Sequence, residues 1–228
     1  MKKIGIIFAM EEELNEFVSK VKIDKEYKIS DLVFYECIVN NIKCILVESG
    51  IGKVNSARST QILIDNYDVD YIFNVGVAGS ISDKVNIGDV VIADKLVQHD
   101  FDITSFNHEK GYIPNIGSNI PSDEYLLKKA NEVIYNDNIH IGTIASGDIF
   151  ITDKEMSKKI FNKFNALCVE MEGASIAQVC YLSNVPFIVI RSISDSLNSE
   201  DNKVNYEEFL IDSSKKIASF LLQMLERL

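Results

Sequence analysis

The chain has 228 residues, 46% of them apolar and 25% charged, and a formal net charge of −11 at pH 7. That size and apolar content suit one domain, residues 1–228, built around a single substantial core. A surface this acidic repels phosphate backbones and anionic lipid, which argues against nucleic-acid and membrane partners and leaves small molecules or further copies of the chain.

In chain order, Lys2 and Lys3 followed by the apolar run 4–10 faintly suggest a signal peptide, but the run is short and leads directly into Glu11, Glu12 and Glu13. It reads as a first strand. Further β-branched runs at 42–47, 71–75, 90–92, 140–144 and 187–190 alternate with helix-period segments near 12–21, 54–66, 123–136, 154–164 and 173–182. The segment 206–228 puts Phe209, Ile217, Phe220, Leu221 and Leu225 on one stripe, as an amphipathic closing helix does. The alternation predicts an α/β fold with helices on both faces of a sheet, a three-layer α/β/α arrangement. Between 98 and 121 the pattern lapses into His, Asp, Asn, Gly and Pro with isolated aromatics, and so long a loop in a compact domain is usually functional. No run approaches the roughly eighteen apolar residues of a membrane span, so a cytoplasmic location is expected. Cys37, Cys44, Cys168 and Cys180 form no C-x-x-C pair and read as reduced core residues.

Two segments carry acidic residues past apolar runs: Val169-Glu170-Met171-Glu172-Gly173-Ala174 and Arg191-Ser192-Ile193-Ser194-Asp195. Ligands of open α/β sheets bind beyond the carboxyl ends of the strands, so Glu172 and Asp195 are candidates for acid/base work on a bound small molecule. Ser49-Gly50-Ile51-Gly52-Lys53 follows a strand and opens a helix, where backbone N–H groups can face an anion, although its spacing is not that of a P-loop. Gly76-Val77-Ala78-Gly79 reads as a second glycine turn. A tight strand-to-helix turn would need the same residues as a binding loop in either place. The acidic triplet suits the start of a helix electrostatically, and one of its members is placed to face the pocket. His99 and His108 lack the cysteine or third ligand that a metal site needs, and no cofactor fingerprint is present.

Taken together, residues 5–13, 49–53, 74–79, Ser146-Gly147-Asp148, 169–172 and 191–195 resemble, in register along nearly the whole chain, the 5′-methylthioadenosine/S-adenosylhomocysteine nucleosidases of the nucleoside phosphorylase superfamily. The resemblance implies a central mixed twisted sheet and irreversible hydrolysis of the bond between adenine and a 5′-thio-substituted ribose, without a metal or cofactor. It implies that Asp195, oriented by Ser194, donates a proton to adenine N7, and that Glu13 activates the attacking water. Glu172 would bind the ribose hydroxyls, with Met171 beneath the sugar and Arg191 paired with the acidic groups. Phe150 would stack on adenine and the backbone at Ile151 would read its edge, while Ile51, Val77, Ala78 and Gly79 complete the contacts. Ile103, Phe106, Pro114 and Tyr206 fall where the family lines the 5′-alkylthio pocket, and Phe106 and Pro114 would do so in a neighbouring subunit, which implies a homodimer. Val77 stands where many relatives have serine, Leu197 replaces a smaller residue, and 196–205 runs one residue long, which shifts the alignment of Tyr206. The rivals are a phosphorylase of the same superfamily, which three arginines in the whole chain disfavour; a futalosine-type nucleosidase; and a non-catalytic nucleoside-binding module.

Overall fold

In the computed structural model, residues 1–133, 138–196 and 202–228 are described, the last segment with side chains from 209 onward. The chain begins β1 (Lys3–Phe8), α1 (Glu11–Val18), β2 (Ile23–Ile29), β3 (Leu32–Val39), β4 (Ile42–Glu48), α2 (Lys53–Tyr67), β5 (Tyr71–Ser80) and β6 (Val90–Gln98). It continues β7 (Ile120–Pro121), α3 (Glu124–Asn131), β8 (Ile139–Ser146), α4 (Lys154–Phe164), β9 (Ala166–Glu170), α5 (Gly173–Ser183), β10 (Phe187–Ser196) and α6 (Asn202–Leu225). All ten strands join one mixed sheet in the order β10-β6-β8-β9-β5-β1-β4-β3-β2, with β7 on β6. Because β10 also pairs with β5, the strands β5, β10, β6, β8 and β9 close into a ring.

The side-chain alternation of β1 decides the layers. Ile4, Ile6 and Phe8 bury against α1, α3 and α6, through Leu14, Phe17, Leu126, Ile217, Phe220 and Leu221. Ile7 points the other way, into a second cluster with Leu63 of α2 and Ile176, Ala177 and Cys180 of α5. Helix α4 covers a third, smaller cluster with Ile160 against Val97 and Ala145. Helices α2 and α5 meet through small residues, and the Ser56 and Ser175 hydroxyls lie 2.7 Å apart across the contact. All four cysteines are free and buried.

Three local expectations are corrected. The reading from sequence assigns no element to residues 23–39, where the structure has the hairpin β2–β3; β2 exposes its five central residues, so an apolar alternation never develops on this edge strand. The predicted helix 123–136 ends at Asn131, and residues 134–137 lie outside the described part. The supposed turn 76–79 is strand: β5 runs unbroken to Ser80, paired with β10 throughout. Among the described residues, no helix is long and apolar enough to cross a membrane.

Candidate active site

The pocket opens where the carboxyl ends of β1, β5, β9 and β10 converge. It is lined by Ala9, Met10, Glu13, Ile51, Val77, Ala78, Gly79, Ile149, Phe150, Ile151, Val169, Glu170, Met171, Glu172, Ser194 and Asp195.

Glu13 sits in the first turn of α1, where helix N–H groups lack intrahelical partners. Its carboxylate folds back to fill that gap. Oε2 accepts the N–H of Ala9 at 2.9 Å and of Met10 at 3.2 Å, and Oε1 accepts the N–H of Val77 at 2.9 Å. Glu11 and Glu12 face solvent, while Glu13 is buried. Burial pushes the Glu13 carboxyl above its ordinary range, against the opposing pull of Arg191 and these three N–H donors. At Val77, the position where the resemblance leads one to expect serine, the contact to the carboxylate is made by the backbone N–H.

The neighbouring strand explains the glycines. A Cβ on Gly76 would lie 2.5 Å from Glu13 Oε1, and one on Gly79 would lie 2.8 Å from Asp195 Oδ2. Neither glycine has a positive φ, so both serve to admit a carboxyl group rather than to bend the chain. Asp195 reaches Gly79 through a register shift, since Ile193 pairs with Ala78 and Asp195 with Gly79, leaving Ser194 as the extra residue. A bulge of this kind re-aims the side chain that follows it. The Ser194 hydroxyl donates to Asp195 Oδ1 at 2.8 Å, and both residues are buried.

On the opposite wall, Glu170 ends β9 and Glu172 precedes α5. The buried Arg191 guanidinium bonds Glu170 and Asn74, and stands 3.9 Å from Glu172 Oε2. Arg191 therefore lies behind the carboxyls and is not part of the lining. Glu172 Oε1 accepts the N–H of Gly52 at 2.9 Å, so the anion that the 49–53 turn faces is a side chain of the protein itself. Gly50 and Gly52 have φ of 78° and 100°, which the turn requires. Burial and the charge of Glu170 push Glu172 up to about 8, although Arg191 and the Gly52 N–H act in the opposite direction.

Lys53, Asp100 and Asp148 hold the mouth. Lys53 Nζ pairs with Asp100 at 2.7 Å, Asp148 accepts the Lys53 N–H at 2.8 Å, and the Asp148 N–H donates to Asp100 at 2.9 Å. The turn so fixed presents Ile149 and Phe150, 42% and 48% exposed, opposite Ile51 at 52%.

Of the residues expected from sequence, Glu13, Ile51, Val77, Ala78, Gly79, Phe150, Ile151, Met171, Glu172, Ser194 and Asp195 line this one pocket. Ile103, Phe106 and Pro114 do not; Phe106 and Pro114 are exposed on the 98–121 segment. The side chains of Leu197 and Tyr206 lie outside the described residues. Ala9, Met10, Val169 and Glu170, which the sequence motifs contained without a role, and Ile149, which lies beside Phe150, also line the pocket. His99 is buried against Gly147, and that burial lowers its pKa. His108 stacks on Tyr112.

Glu13, Glu170 and Glu172 thus act on the one buried guanidinium, and a fourth buried carboxyl, Asp195, lines the same pocket. Like charges at this density cannot all ionise easily, which suits a site that must hold both a proton donor and a proton acceptor. Along β5, the glycines that seat Glu13 and Asp195 are three residues apart, roughly 10 Å at about 3.3 Å per residue.

A model of the phosphorylase superfamily matches residues 3–226. The 5′-methylthioadenosine/S-adenosylhomocysteine nucleosidase of Staphylococcus aureus is 39% identical over 228 residues, covering 97% of this chain and 100% of that protein. Among solved structures, an aspartate-to-asparagine variant of the Helicobacter pylori nucleosidase, with 5′-methylthioadenosine in its active site, aligns with a TM-score of 0.96 at 36% identity over 100% of both chains. The futalosine hydrolase of Helicobacter pylori aligns at 0.95 and 37% identity, over 100% of this chain and 98% of that one.

Proposed function

The chain belongs to the phosphorylase superfamily and, within it, to the methylthioadenosine/S-adenosylhomocysteine nucleosidases; from that premise we propose how its pocket performs the hydrolysis. The enzyme cleaves the N-glycosidic bond of 5′-methylthioadenosine and S-adenosylhomocysteine, releasing adenine and the 5-thio-substituted ribose. The observation that carries the mechanism is the convergence of Glu13, Glu172 and Asp195 on one pocket.

Asp195 donates its proton to N7 of adenine as the bond to the anomeric carbon stretches, so the base departs neutral. Ser194 fixes the orientation of that carboxyl. Glu13, held by three backbone N–H groups, accepts a proton from the water that attacks the anomeric carbon. Glu172 bonds the ribose hydroxyls, and the electron-rich carboxyl groups around the sugar stabilise the oxocarbenium-like transition state. Met171 supports the sugar, while Phe150 and Ile151 receive the base. The relative holding intact 5′-methylthioadenosine in an aspartate-to-asparagine variant supports the role of an aspartate in catalysis.

The arginines fit hydrolysis rather than phosphorolysis. Arg58 pairs with Asp31 on the surface, Arg227 bonds the carbonyls of Glu132 and Gln223, and Arg191 is engaged by Glu170 and Asn74. None is available to grip a phosphate from two sides.

The functional unit in this reading is a homodimer in which Phe106 and Pro114 close the 5′ end of the neighbouring pocket. Its support is exposed apolar surface: Val54, Phe106 and Leu182 are 78%, 76% and 62% exposed in the single chain. The substrate 5′ group meets that surface, so the choice between a methylthio group and a futalosine-type substituent is made there.

The deciding experiment is adenine release from 5′-methylthioadenosine in phosphate-free buffer and again with excess phosphate. Release without phosphate, giving free 5-methylthioribose, is expected. Strict dependence on phosphate would remove the role given to Glu13. Parallel assays with futalosine rank the substrates, and sedimentation of the purified protein tests the dimer.

A further inference from the structure

Glu170 touches neither the base nor the water in this mechanism, yet its carboxylate bonds four protein groups. Oε2 accepts the N–H of Glu172 at 3.1 Å and of Gly173 at 2.7 Å and also bonds Arg191, while Oε1 bonds the Ser146 hydroxyl. The Ser146 oxygen in turn accepts the N–H of Ala174 at 2.7 Å. Glu170 and Ser146 thereby satisfy three successive donors at the start of α5, the groups a helix cannot satisfy internally. Arg191 is caught between two acids. It bonds Glu170, whereas its nearest approach to Glu172 is 3.9 Å, beyond hydrogen-bond reach.

We propose that Glu170 is a positioning residue for the reaction, because it draws the Arg191 guanidinium away from Glu172 and fixes the turn that carries Met171 and Glu172 into the pocket. Glu172 is then left to the substrate instead of being consumed in an internal ion pair. The inference deepens the reading of Glu172 as the ribose ligand and rests on it. The charged groups around Glu172 are Glu170 from β9, Arg191 from β10 and Glu13 from α1, with the Gly52 N–H ahead of α2. Removing the Glu170 charge leaves Arg191 one acidic neighbour fewer, and the guanidinium then turns to Glu172.

The test is a carboxyl 13C titration of Glu172 by NMR, assigned with Glu172→Gln, combined with the pH profile of adenine release. In the parent enzyme Glu172 is expected to titrate well above the ordinary carboxylate range, at about 8, because of burial and the Glu170 charge. In Glu170→Gln its titration moves toward the ordinary carboxylate range, KM for 5′-methylthioadenosine rises about tenfold or more, and kcat falls by a smaller factor. Glu170→Asp keeps the charge and returns the titration toward that of the parent. Ser146→Ala loosens the α5 cap without changing any charge, so the Glu172 titration stays in place. An unchanged Glu172 titration in Glu170→Gln overturns the proposal, as does a parallel loss of kcat and KM effects in Glu170→Gln and Glu170→Asp, which would mark a merely structural role. Should the parent enzyme fail to release adenine, the nucleosidase reading falls, while the NMR titration still decides on Glu170.

Discussion

The floor and the mouth of the pocket are built on opposite principles. At the floor, Glu13, Glu170, Glu172, Arg191 and Asp195 are all buried, and each carboxylate is fixed by backbone N–H groups, hydroxyls or the guanidinium. At the mouth, Ile51, Ile149 and Phe150 are partly or largely exposed apolar side chains, carried on turns that hydrogen bonds tie together. The floor is complete within one chain, since preorganised charge must not wait for a partner to assemble it. The mouth presents apolar surface that a second copy or a substrate would cover. Chemistry and selectivity are therefore separable here, and substitutions should sort into those that lower kcat and those that raise KM.

The largest effect is expected at Asp195. Asp195→Asn keeps the Ser194 hydroxyl contact but has no proton to give, and kcat should fall by about 10²–10⁴, the usual range for a general acid, with an unchanged circular-dichroism spectrum. Activity within a few-fold of the parent would take Asp195 out of the mechanism. Glu13→Gln should cost a comparable factor while still binding a transition-state-like inhibitor in calorimetry; lost binding would make Glu13 a ligand for the nucleoside instead of a base for water.

Next in size come the glycines of β5. Gly76→Ala should push Glu13 off its three N–H donors, because the new methyl would stand 2.5 Å from a carboxylate oxygen. About a tenfold or greater loss of kcat with little change in KM is expected, since misplacing a reacting group by an ångström costs on that scale. A normal kcat would mean that Glu13 tolerates displacement and that the floor is less preorganised than its geometry implies.

At the mouth the effect is smaller and of a different kind. Phe106→Ala removes a side chain that is 76% exposed in one chain, so a monomer would not register its loss. If Phe106 closes a neighbouring pocket, KM for 5′-methylthioadenosine should rise by about tenfold, the scale of roughly 1–3 kcal/mol for a trimmed apolar pocket, with kcat nearly kept. An unchanged KM would break the division between floor and mouth at its weaker side.

The smallest effect is on stability. Glu172 has a folded-state pKa raised to about 8 from an ordinary 4.5, so the folded protein holds a proton that the unfolded chain has released. Its contribution is therefore fully present below the unfolded value and is lost as the pH rises through 8. The melting temperature should decline between pH 5 and 8, and Glu172→Gln should flatten that slope. A slope of equal size in the variant would assign the proton to another buried group, Glu13 being the first candidate because burial raises it as well.

The sequence by itself determined the apolar runs that became β1, β4, β5, β6, β8 and β10, the α2, α4 and α5 helices, and the closing helix α6. Period-two and helical patterns are local, and each follows from which faces must leave water. It also marked Glu172 and Asp195 as acids just past apolar strands and one member of the triplet 11–13 as facing the pocket, while the choice of Glu13 came from the resemblance. Only the tertiary structure decided what those local patterns could not contain. The closure of five strands into a ring brings residues 172 and 195 to one pocket, and the pairing of β1 with β5 brings residue 13 from the other end of the chain. The glycines at 76 and 79 look like a turn in sequence, but the space they leave is filled by carboxyls that arrive from α1 and β10. The edge strand β2 was invisible for the converse reason, because a strand with water on both faces carries no burial pattern. Glu170 shows the same limit at the site: one residue before Met171 in sequence, it gains its meaning from Arg191 and Ser146, which only the folded sheet sets beside it.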